Sequence, residues 1–194
     1  MKKKMLRTIR LDPSDGFVFA RAAEPGEWAV AGGFMFWDCD PAELTGKKRA
    51  AFRAGILGID SFGWSTLAVV SEAGAAERAA AVEHLASRFI ENLGAPDMEA
   101  ARAAAEEEIA YAEELAVHPI NTLIAVERRA EEDGVTERFR TLHARTPGEG
   151  AATRFGNAFG FVTSDTAEGD DVPAEHVDLL NLDGARGGGK GRAS

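Results

Sequence analysis

The segment AAERAAAVEHLASRFIENLGAPDMEAARAAAEEEIAYAEELAV at 75–117 decides how the rest of the chain must fold. In its first half Val82, Leu85, Ala86, Phe89, Ile90 and Leu93 recur at helical spacings of three and four, the apolar stripe of an amphipathic helix. Gly94 stands where a left-handed residue ends a helix, and Pro96 blocks continuation. Asp97 is a fitting N-cap for a second helix to about Val117, with Glu99 favourably placed in its first turn. Along that helix Met98, Ala101, Ala105, Ile109, Ala112 and Ala116 make a stripe of mostly small side chains. Small side chains let two helices joined by a short loop lie close together as an antiparallel pair.

Working outward, His118-Pro119 ends the second helix, because proline disfavours the helical conformation of the residue before it. Strands are then expected at about 121–130 and 135–143. A two-residue turn at Asp133-Gly134 would set Arg129 opposite Arg138. A longer loop from Glu131 to Gly134 instead pairs Val126 with Phe139, Leu123 with Leu142, Glu127 with Arg138 and Arg128 with Glu137. Matched apolar and opposite-charge pairs each help by roughly 0.2–1 kcal/mol, so the second register is favoured.

On the N-terminal side, strands are expected at 5–11 and 16–22 around the turn signal Asp12-Pro13-Ser14-Asp15-Gly16. Glu24-Pro25-Gly26 suits a type II turn between Phe17-Val18-Phe19 and Trp28-Ala29-Val30, which predicts a hairpin. Gly32-Gly33 interrupts the return strand with a bulge or bend before it resumes at Phe34-Met35-Phe36-Trp37, Thr45 is a helix start running to about Leu57, and Thr66–Val70 a buried strand. This order of strands, helix pair and closing hairpin predicts an α+β domain over 1–145. Its architecture is a mainly antiparallel sheet of five or six strands, packed on one face by the helix pair. An extended tail at 146–194 follows, ending in a Gly-rich stretch expected to be disordered.

Charge and composition narrow the function. Twenty-two Lys and Arg against 32 Asp and Glu give a net charge of −10, which disfavours nucleic acid or an anionic membrane as the main partner. Hydrophobic content of 45% and charged content of 28% are those of a globular protein. Cys39 is the single cysteine, so neither an intrachain disulfide nor a cysteine-based zinc cluster can form. Arg7, Thr8 and Arg10 interrupt any signal-peptide core after the N-terminal lysines, and no apolar run approaches membrane-spanning length. The expected location is cytoplasmic.

Catalytic motifs are missing. Gly148-Glu149-Gly150 lacks the third glycine of a dinucleotide loop, and Gly63-Trp64-Ser65 has Leu67 where a nucleophile elbow needs glycine. His84, His118, His143 and His176 are scattered, which gives no metal-ligand spacing. Asp38, Cys39 and Asp40 read as turn chemistry before Pro41, and Glu106-Glu107-Glu108 as a solvated acidic face. No catalytic residue, metal or cofactor is therefore expected. Two apolar segments of the tail, around Phe155, Phe159 and Phe161 and around Leu179, Leu180 and Leu182, suit docking to a protein partner or folding back as an added strand or helix. Trp37, Asp38 and Trp64 are candidates for a pocket between the sheet and the helix pair.

The strings Leu6–Asp15, Gly26–Val30, Ser61–Leu67 and Arg138–His143 resemble a family of uncharacterised proteobacterial proteins, a domain of unknown function, over about residues 5–145. The resemblance brings no catalytic residues with it. It implies genes near those of molybdenum- or iron–sulfur-dependent oxidoreductases and their maturation factors, hence an accessory role. The expectation is a non-catalytic accessory or interaction protein, such as an assembly factor or auxiliary subunit of a bacterial oxidoreductase, docking through its tail. The alternative is a small-molecule-binding protein or enzyme using the pocket. Homo-oligomerisation stays open.

Overall fold

The computed structural model describes residues 3–131, 134–144 and 161–165. The fold is α+β. Strands β1 (Lys3–Ile9), β2 (Trp28–Val30), β3 (Ile56–Gly58), β4 (Trp64–Ser65), β5 (Leu67–Ala73), β6 (Leu123–Glu131), β7 (Gly134–Ala144) and β8 (Phe161–Asp165) form one antiparallel sheet. Their order is β4-β3-β2-β1-β5-β6-β7-β8. Helices α1 (Asp15–Val18), α2 (Gly46–Ala54), α3 (Ala75–Leu93) and α4 (Met98–Leu115) are the α-helices among the described residues.

The helix pair follows its sequence signals closely. Glu77 caps the start of α3 by accepting from the Gly74 N–H at 2.8 Å. Gly94 ends that helix at φ +68°, and the Ala95 N–H returns to the Phe89 carbonyl. Asp97 caps α4 by accepting from the Ala100 N–H at 2.8 Å. Ala101, Ala105, Ile109 and Ala112 are fully buried against Ala81, Val82, Leu85 and Phe89. Ile90 and Leu93, expected in the stripe, are partly exposed, so the buried face is rotated slightly towards Ala81. Arg78 spans the pair, binding Glu106 at 2.7 Å and Glu113 at 2.8 Å.

Strand alternation separates two cores. Met5, Val30 and Leu57 share a face and pack with the helix pair. Leu6, Ala29, Ile56, Val70 and Ile124 point to the other face and form a second core. The sheet closes over that second core. In the strand order β6 stands three places from β2 and four from β3, about 14–19 Å away in a flat sheet. Yet the Arg128 side chain on β6 donates to the carbonyls of Ala31, just past β2, and of Gly55, just before β3. The sheet is therefore strongly coiled, and Arg128 is the clasp.

Several N-terminal expectations are corrected. Residues 16–22 are not a strand: Asp15–Val18 make one helical turn, because Asp12-Pro13-Ser14 is a helix start, with Asp12 accepting from the Ser14 N–H at 2.7 Å. Phe17 is 77% exposed, and β2 pairs with β1 instead, Leu6 opposite Ala29. The Glu24-Pro25-Gly26 turn does form, with Gly26 at φ +86°. Phe34–Trp37 is not a strand either. Gly32 takes φ +80°, where a Cβ would lie 2.7 Å from that of Leu57, and Gly33–Phe36 then form a 3-10 turn. The helix after Thr45 stops at Ala54, so Ile56 and Leu57 are free to form β3.

At the C-terminal side the register is the favoured one: Val126 opposite Phe139, Leu123 opposite Leu142, Glu127 opposite Arg138, Arg128 opposite Glu137. Pairing runs on to Glu131 opposite Gly134, further than expected. Beyond 145, the stretch Phe161–Asp165 adds to the sheet as β8, Arg140 opposite Asp165. Phe161 thus belongs to an added strand, while Phe155, Phe159, Leu179, Leu180, Leu182 and the Gly-rich end lie outside the described residues.

Candidate functional site

Between α4, the β6–β7 hairpin, α2 and the segment 31–41 lies a cavity of about 500 Å³. A second, of about 260 Å³, adjoins it and shares Phe34, Trp37 and Glu108. The 3-10 turn that follows Gly32 sets the aromatic walls. Phe34 turns inward edge-on to Phe89, ring centroids 5.0 Å apart, and Phe36 wedges between Phe52 and Trp64, each 5.3 Å away. Trp37, next in the chain, is 81% exposed at the rim of both cavities.

Arg128 forms the floor. Its side chain is fully buried, with Nε donating to Glu137 and the terminal nitrogens to the carbonyls of Phe52 at 3.2 Å, Gly55 at 2.7 Å and Ala31. A buried guanidinium is tolerable only when charge and donors are both met, and here they are. Glu137 also accepts from the Tyr111 hydroxyl at 3.4 Å, while Tyr111 packs edge-on to Phe139. Burial, followed by the charge of Glu137 and its hydrogen bond, pushes the Tyr111 hydroxyl up to about 12.

Glu108 precedes Tyr111 by three residues, so both side chains leave the same side of α4. The Glu108 carboxyl is half-buried, and none of the described side chains donates a hydrogen bond to it. Burial pushes its pKa up to about 7, reinforced by the charges of Glu137 and Glu107. Near neutral pH this group exchanges between a donor and an anion inside an apolar site. Such a carboxyl can hold a ligand's acceptor or a ligand's positive charge, according to its protonation.

The expected pocket residues divide. Trp37 is on the rim of both cavities and Asp38 on the rim of the smaller one. Trp64 packs in the core, stacked on Phe36, and supports the wall from behind. Cys39 is exposed at the rim of the larger cavity. Asp40 accepts from the Ala42 N–H at 2.9 Å, the turn chemistry expected of it. Ser65 is buried and donates to the Leu67 carbonyl at 2.8 Å, a structural role. His84 pairs with Asp60 at 3.0 Å. Among the described residues no three His, Cys, Asp or Glu side chains are grouped to hold a metal ion, and no helix is long and apolar enough to cross a membrane.

Sequence reasoning passed over Glu108, Tyr111 and Arg128 as site residues. Glu108 was hidden in an acidic triplet whose first member serves Arg78 at the surface. The available signal was positional: Glu108, Tyr111 and Leu115 follow a single flank beside the small-residue stripe, so they meet whatever packs next to it. A third cavity, about 610 Å³, lies between α1, α2, β6 and β7. Its acidic group, Glu127, is already held by Arg129 at 2.6 Å and Arg140 at 2.9 Å, which makes it the weaker candidate despite its size.

No curated protein and no solved structure matches the chain. A family model covers residues 1–155, which include every element of the cavity, and the chain belongs to that family, the family of unknown function DUF6505.

Proposed function

We propose that this protein binds a small organic molecule in the cavity between α4 and the β6–β7 hairpin. The observation that carries the reading is one of composition: Phe34, Phe36, Trp37, Phe52 and Tyr111 wall a space of about 500 Å³ that contains the Glu108 carboxyl, to which none of the described side chains donates a hydrogen bond. Ligand sites of this size are mostly apolar, with a few polar groups that fix orientation, and they concentrate groups of shifted pKa. Arg128 and Glu137 satisfy one another and hold the floor rigid, so the site is formed before a ligand arrives. The reading stops at binding. The polar groups on the cavity's walls are the Glu108 carboxyl, the Tyr111 phenol, the Trp37 indole, the Arg128–Glu137 ion pair and, exposed at the rim, the Cys39 thiol, an inventory suited to orienting a ligand.

A fragment screen by protein-observed NMR on the full chain tests this. Fragments are expected to shift the signals of Trp37, Tyr111 and Val135 together, and Val135→Trp, which fills the mouth, should abolish those shifts. Fragments that collect instead at Arg53 and Arg140, or that leave Trp37 unmoved, would overturn the assignment.

A further inference from the structure

The chemistry of the walls constrains the ligand further, on condition that the cavity is a ligand site at all. We propose that the ligand is an organic cation, a protonated amine or quaternary ammonium group carried on a small apolar body. An anionic ligand would need an available positive group, and the described residues that line the cavity offer none: the Arg128 guanidinium is committed to Glu137 and to three backbone carbonyls. What remains is negative. Glu108 stands between the two cavities, and Glu107 and Asp38 line the smaller one.

The aromatic walls favour the same charge. Ring faces carry the negative lobe of the aromatic quadrupole and attract a cation within about 6 Å, most strongly for tryptophan. Trp37 is the most exposed large apolar side chain among the described residues, at 81%, and it stands where both cavities open. A ligand seated beneath it would cover that ring while bringing a positive charge to Glu108. The chain already makes one contact of this kind, with the Arg7 guanidinium 3.5 Å from the centre of the Trp28 ring. At about 500 Å³ the space far exceeds an ammonium group, so the cation must carry an apolar body that fills the remainder against Phe34, Phe36 and Phe52.

The state of Glu108 gives the proposal a signature. Without a ligand, burial and the charges of Glu137 and Glu107 outweigh the pull of Arg128, and the Glu108 carboxyl holds its proton to about pH 7. A bound cation supplies the counter-charge, so the carboxyl ionises and its proton passes to the buffer.

The test uses three probes of one shape on the full chain: phenethylammonium, phenethyl alcohol and hydrocinnamate. The Trp37 indole signal is read by NMR, and proton release by calorimetry in two buffers of different ionisation heat. Phenethylammonium should bind about tenfold more tightly than either relative. It should release protons near pH 7. Glu108→Gln, a neutral isostere, should weaken it about tenfold and abolish the proton release. Trp37→Ala, at an exposed position that leaves the core untouched, should remove most of the affinity. If the alcohol or the carboxylate binds as tightly as the ammonium, the cation proposal fails while the cavity reading stands. If none of the three moves Trp37, both fail.

Discussion

Two arginines hold this molecule together in opposite ways. Arg78 lies across the outside of the α3–α4 pair, binding Glu106 and Glu113 over a seam that alanine, leucine and phenylalanine have already filled. Arg128 is itself core: at 1% exposure it heads the fully buried side chains by volume, and it closes the coiled sheet by binding carbonyls from two other strand ends. The seam is apolar packing with charge added at the rim. The junction is a polar knot in a place where apolar packing would have sufficed for stability alone. The difference teaches that the helix pair is held by apolar packing with charge at its rim, whereas the junction beside the cavity is held by a buried guanidinium and its hydrogen bonds.

The sharpest way to break that comparison is Arg128→Ala. It leaves Glu137 without its counter-charge, strands three carbonyls and opens a void beneath Phe52, so the expected loss is about 3–5 kcal/mol or total unfolding, read by urea denaturation. At the seam, Leu85→Ala removes a fully buried side chain and should cost about 2–5 kcal/mol. The two variants should differ in kind as well as size. Leu85→Ala leaves the Trp37 and Tyr111 signals where they are, while milder changes at the junction, such as Arg128→Lys, move them. Should Leu85→Ala disturb the cavity and Arg128→Lys leave it intact, the division of labour is wrong.

The same contrast explains which parts of the molecule were legible in the sequence. The helix pair declares itself through period and caps, because every signal there is local: Val82 to Phe89, Gly94 and Asp97 need only their own neighbours. The β6–β7 register was equally readable, since a wrong register would oppose Arg129 and Arg138. The N-terminal forty residues misled because their constraints are remote. Gly32 leaves no room for a side chain because a Cβ there would meet Leu57 and Trp64, and Asp15 is buried where Thr66 and Ser65 donate to it. Neither set of partners is visible from position 15 or 32. The cavity shared this fate: Trp37 and Asp38 are neighbours in the sequence, but Glu108 meets them only because the coiled sheet brings Glu137 to α4.

Glu108 sharpens the comparison through pH. Its pKa is raised from 4.5 to about 7, so the fold holds this proton more tightly than the unfolded chain does. The stabilisation is complete below about pH 4.5 and is lost as pH rises towards 7, where the buried charge must be carried. Glu113, at the seam, runs the other way: its hydrogen bonds from Arg78 and Lys3 hold it below the ordinary value despite burial, and its contribution is lost in acid. Glu108→Gln should therefore melt with the wild type near pH 4 and above it by several degrees at pH 8, the gap opening between those limits. Thermal melts of both proteins across that range decide the matter, and parallel curves would mean that the carboxyl is solvated.

The smallest effect belongs to Asp97, which is local to the helix pair. Its carboxylate satisfies one N–H at the start of α4, and Asp97→Ala should cost about 1 kcal/mol in urea denaturation. Asp97→Ser should recover most of that loss, because a short side-chain oxygen is all the N-cap requires. Rescue by serine has no counterpart at the junction, where lysine keeps the charge of Arg128 but lacks the planar fork that reaches Glu137 and the carbonyls at once. A cap is one hydrogen bond, replaceable by another acceptor. The clasp is a geometry, and no other side chain has it.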